Sequence, residues 1–135
     1  MQPTRKLLPQ LKTEETQVSQ EHETYEARVA RTRKRFILSL DERLDAILSA
    51  ARGGADADPV ETQPRKVHRM MHDMAGNAAM LELSEVEDSI RKGLGVAEKA
   101  DADGVPMTDA DVAAIEAAVE ETRKVAAVLQ EHVAE

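Results

Sequence analysis

The sequence predicts an all-α protein, an antiparallel up-and-down four-helix bundle with an N-terminal helical extension, and three observations carry that expectation. Phe36 and Tyr25 are the only aromatics among 135 residues, so the apolar set is almost wholly aliphatic, a palette rich in helix formers and poor in strand formers. Four segments repeat apolar residues at i, i+3, i+4 and i+7. The connections between them are short, which places successive helices antiparallel.

Residues 1 to about 17 contain Pro3, Pro9 and many polar side chains without periodicity, so a frayed or partner-dependent start is expected. Residues 1–28 are read as an N-terminal extension, partly disordered or helical, and 29–135 as the bundle. From about Val18, apolar spacing through Tyr25, Val29, Phe36, Ile37, Leu40, Leu44, Ile47 and Leu48 predicts a long first helix that Gly53 and Gly54 terminate. Residues 55–62, ADADPVET, have loop composition, and Thr62 is placed to cap a helix with Pro64 in its first turn.

That second helix reads to about Leu83. Val67, Met70, Met74, Ala78 and Leu81 share one face, with Met70 and Met74 expected in the core and Met71 and Met80 on a rim beside the opposite face. Ser84-Glu85-Val86-Glu87 has capping-box form and predicts a third helix burying Val86, Ile90, Leu94 and Ala97, weakened by Gly93 and Gly95. Residues 101–107, DADGVPM, read as a turn. Thr108, Asp109 and Asp111 then open a last helix with the stripe Val112, Ile115, Val119, Thr122, Val125, Val128 or Leu129, and His132 or Val133.

A formal net charge of −8 argues against nucleic acid as the main partner, since that binding needs clustered cations. The one basic run, Arg28, Arg31, Arg33, Lys34 and Arg35, reads as a solvated helical face. With no cysteine there is no disulfide, thiolate nucleophile or cysteine-held metal. No apolar run approaches the roughly 20 residues that span a bilayer, and no secretory signal pattern opens the chain, so a cytoplasmic protein without membrane partners is expected. Neither G-x-x-x-x-G-K-[ST] nor G-x-G-x-x-G occurs, so no nucleotide site is expected.

The residue that points to chemistry is His72. At about 100° per residue it lies roughly 140° to 160° from Val67 and Met74, away from the apolar stripe. Arg65, His68 and Arg69 flank it on the N-terminal side, and Ala75, Gly76 and Ala79 on the C-terminal side. His68 and His72 also have the i, i+4 spacing of a metal pair, but H-R-M-M-H lacks the glutamate of the zinc-protease motif and offers no third ligand, so no metal is expected. His22 and His132 read as structural or solvated. The acidic pairs Glu85/Glu87 and Asp109/Asp111 fit helix N-termini better than acid–base catalysis.

The run His72-Asp73-Met74-Ala75-Gly76, followed by Asn77-Ala78-Ala79-Met80-Leu81, resembles the active helix of histidine-containing phosphotransfer domains, and RFILSLDERLDAILSAARGG is similar to the helix preceding it. The resemblance covers about Arg33 to Glu135. It implies a four-helix bundle that carries a phosphoryl group on His72 and exchanges it with the aspartate of a response-regulator receiver domain, sometimes after receiving it from a histidine kinase. It further implies that Gly76 gives the receiver access, and that Mg²⁺ belongs to the receiver, with no cofactor on the carrier. Arg65, His68, Arg69, Ala75, Gly76 and Ala79 are then the phosphoryl-neighbouring or docking residues. Two positions depart from the family pattern: Ala75 stands where a lysine is common, with Arg69 or Arg65 as the substitute cation, and Glu82 stands where glycine is frequent. The contrasting expectation is a helical-bundle scaffold that binds a partner without phosphorylation. A monomer is expected, with the N-terminal helix as the element available for dimerisation.

Overall fold

The computed structural model describes residues 24–53 and 60–134. Among them are four helices and no strand: α1 (Tyr25–Arg52), α2 (Gln63–Met80), α3 (Ser84–Asp103) and α4 (Asp109–Ala134). The chain divides into two compact units, Met1–Arg33 and Lys34–Glu135. In the first unit, α1 begins with the Ala27 N–H donating to Thr24 Oγ1 at 3.0 Å. The expected behaviour of residues 1–23, and most of the loop at 55–62, lie outside the described residues.

The second unit is the bundle, and its cross-links define an antiparallel ring. Arg123 of α4 pairs with Asp45 of α1, and Arg52 near the end of α1 pairs with Glu116 early in α4. His68 of α2 meets Asp101 of α3, and Thr122 of α4 meets Ser89 of α3. Between α1 and α4 the partners run in opposite order, Asp45 with Arg123 and Arg52 with Glu116, and His68 early in α2 meets Asp101 late in α3, as up-and-down topology requires. No helix among the described residues is long and apolar enough to cross a membrane.

The core is the aliphatic set that periodicity picks out. Leu40, Leu44 and Ile47 of α1, Val67 and Met74 of α2, Val86 and Ile90 of α3, and Ile115 and Val119 of α4 are fully buried. In α2 the buried arc is wider than the stripe and turned toward α3. Met71, expected on the rim, is fully buried, whereas Met70 is only partly so. The reason lies on α3: a Cβ at Gly93 would stand 2.9 Å from Met71 Cε and 2.8 Å from Ala118 Cβ. Gly93 is a notch into which Met71 packs, and its role is close helix approach rather than weakening of α3.

The helix ends hold further differences. Leu83 occupies the N-cap of α3 without a side-chain cap, so the Ser84–Glu87 box is not formed as expected. Thr62 takes the N-cap position of α2, likewise without a side-chain hydrogen bond. Thr108 and Asp111 do form a reciprocal box, each backbone N–H donating to the other's side-chain oxygen at 3.1 Å. Asp101 and Asp103, expected in a turn, belong to the last turn of α3, which ends at Gly104 in the left-handed region. Glu82, between α2 and α3, also has φ of 59°. Buried Gln63 joins three segments: its Nε2–H donates to Ala51 O at 2.6 Å, and its Oε1 accepts from Met107 N–H at 2.9 Å.

Candidate functional site

Burial of Val67, Met71, Met74 and Ala78 fixes the rotation of α2 and turns the opposite face outward. Arg65, Arg69, His72, Gly76 and Ala79 lie exposed on that face, with His68 half-buried beside them. His72 is therefore where the wheel places it. Ala75 is not: it is 1% exposed, a core side chain that offers a partner nothing. At the far end of the helix Met80 is 71% exposed, the apolar rim residue that the sequence anticipates.

Glu61, Arg65, His68, Arg69, His72, Asp73 and Asp101 line one open concavity. Arg65, His68 and Arg69 are each paired with a carboxylate, whereas His72 and Asp73 have no hydrogen bond or ion pair among the described residues. Arg69 is held bidentately by Glu61, Nε and Nη2 donating to the two carboxylate oxygens at 2.8 and 2.9 Å. His68 Nδ1 lies 2.8 Å from Asp101 Oδ2, and its Nε2 is 4.0 Å from Glu98 Oε1. Arg65 Nε stands 3.6 Å from Asp101 Oδ1, with its side chain 68% exposed. Asp101, missed by sequence reasoning because it was placed in a turn, thus anchors two members of the basic ridge from the neighbouring helix.

His72 makes no hydrogen bond or ion pair among the described residues; its recorded contact is with the His68 ring, centroids 6.1 Å apart at 71°. The side chain is exposed, and whichever ring nitrogen lacks a proton carries a lone pair that no described residue engages. One turn on, Gly76 has no positive φ and no atom within 4 Å of where its Cβ would be. Nothing among the described residues requires glycine there. Gly95 on α3, in the turn before Glu98, is open in the same way.

No family model matches the chain, and no curated protein or solved structure matches it either. The site is therefore judged on its chemistry. A solvent-exposed imidazole on a rigid helix can act as a nucleophile toward an incoming electrophile. Among the described residues no group of three or more His, Asp or Glu is placed to hold a metal ion, so the His68–His72 pair stands without further ligands.

Proposed function

We propose that this chain is a cytoplasmic phosphoryl carrier of a two-component phosphorelay, with His72 as the phosphoacceptor. The observation that carries the reading is His72 itself: exposed, without a hydrogen bond or ion pair among the described residues, and followed one turn on by a glycine that no described residue requires, on a face where Arg65, His68 and Arg69 are each held by a carboxylate. The resemblance of His72–Gly76 to the active helix of histidine-containing phosphotransfer domains supplies the partner class, a receiver domain bearing an aspartyl phosphate and Mg²⁺. A histidine kinase is an upstream source that the resemblance implies for some members.

In the transfer, the lone pair of one His72 ring nitrogen forms the N–P bond while the P–O bond to the receiver's aspartate breaks. The electron pair leaves on the carboxylate, and the other ring nitrogen keeps its proton. The reverse step restores both partners. Such transfer rests on positioning and charge neutralisation, which leaves the carrier to provide an accessible imidazole and a nearby cation. Arg65 suits that task better than Arg69, because a single 3.6 Å contact holds it loosely while Glu61 grips Arg69 bidentately.

The test is incubation with phosphorylated receiver domains and Mg²⁺, followed by intact mass measurement of wild type and His72→Gln. One acid-labile phosphoryl group on wild type and none on the variant is the expected result. A wild-type chain that binds a receiver yet gains no phosphoryl group from a broad panel is instead a binding scaffold.

A further inference from the structure

His72 has no hydrogen-bonding partner to fix its ring, yet its N-terminal neighbour on the helix face is held firmly. A carboxylate only accepts hydrogen bonds, so the 2.8 Å contact between His68 Nδ1 and Asp101 Oδ2 places a proton on Nδ1 and locks the plane of the His68 ring. Asp101 is itself only 15% exposed at its side chain and also faces Arg65, so the anchor is a constrained one. Side chains on a helix lean toward its N-terminus, which tips His72 onto the residue four positions back. The two rings meet edge to face, centroids 6.1 Å apart and planes at 71°.

We infer that Asp101 and His68 form a positioning pair for His72: Asp101 fixes the His68 ring, and that ring holds the His72 imidazole in one rotamer so that one nitrogen is presented to the incoming phosphorus. The inference rests on the phosphoryl-carrier reading of His72. Asp101 acts through His68 and does not touch the reacting atoms. The same contact also ties α2 to α3, so a purely structural role is the competing account, and it makes different predictions.

The full chain, labelled with ¹³C and ¹⁵N, is compared as wild type, His68→Ala, His68→Phe and Asp101→Leu. The first readout is independent of phosphorylation: three-bond couplings across the His72 side chain. They should report one χ1 rotamer in wild type and rotamer averaging in His68→Ala, in Asp101→Leu and in His68→Phe, which keeps a ring but has no Nδ1–H for Asp101 to hold. The second is the rate of phosphoryl uptake from a phosphorylated receiver, expected to fall about tenfold in all three variants. A bundle staple would instead lower the melting temperature of all three variants and leave the His72 couplings alone. Unchanged couplings in His68→Ala or in Asp101→Leu overturn the inference whatever the uptake rate, as does a His68→Phe variant with the wild-type rotamer and the wild-type rate. A wild-type chain that accepts no phosphoryl group overturns the carrier reading, while the couplings still decide whether His68 positions His72.

Discussion

Gly93 lies midway along α3 and Gly76 one turn before the end of α2, and a glycine inside a helix costs about 0.5–1 kcal/mol relative to alanine. Their surroundings are opposite. At Gly93 three helices converge, and an added Cβ would press on Ala118 Cβ and the Met71 methyl at under 3 Å, so the missing side chain is what lets α2, α3 and α4 approach. At Gly76 the same atom would meet nothing within 4 Å, and the backbone has no positive φ to relieve. The cost at Gly93 is offset inside the protein. The cost at Gly76 has no return among the described residues, which fits a surface kept bare for something that arrives from outside, beside a histidine with no hydrogen bond or ion pair among those residues.

That contrast can be broken in the laboratory. The largest expected effect is on transfer: Gly76→Phe should slow phosphoryl uptake by about a hundredfold by displacing the partner from His72, with the urea midpoint nearly unchanged. Uptake at the wild-type rate would remove Gly76 from the docking surface. Gly93→Val should do the reverse in kind, costing about 1–3 kcal/mol of stability in urea unfolding through overpacking against Ala118, while any folded fraction still transfers. A Gly93→Val variant as stable as wild type would mean that the three-helix junction has slack. The smallest effect sharpens the comparison from the other side, at a place where glycine would help but is absent. Glu82 holds a left-handed backbone angle, and Glu82→Gly should gain about 0.5–1 kcal/mol, read as a higher melting temperature. Loss of stability there would show that the Glu82 side chain contributes more than its backbone strain costs.

Much of the fold was legible in the residues because helical periodicity is local. Val86, Ile90, Leu94 and Ala97 are buried as their spacing requires, and Ile115, Val119 and Thr122 likewise. His72 was legible for the same reason: rotation of a helix is set by its apolar face, and what lies opposite faces water. Met71 and Ala75 were misplaced because the width of a buried arc depends on what packs against it. A notch at Gly93, some twenty positions along the chain, draws Met71 inward. Gln63 gave no signal in sequence, since a polar residue at a helix start is ordinary and only the arrival of Ala51 and Met107 on either side makes it a buried bridge.

By itself, then, the order of residues determined four amphipathic helices, their antiparallel succession and an outward histidine with glycine one turn on. Each follows from interactions within a few residues of one another. Only the tertiary structure decided which glycine is a packing device and which an open surface, which arginine is gripped and which is loosely held, and that Asp101 reaches across from α3 to fix the ring beside His72. Those outcomes depend on pairs far apart in sequence, whose meeting is settled by the register of one helix against the next.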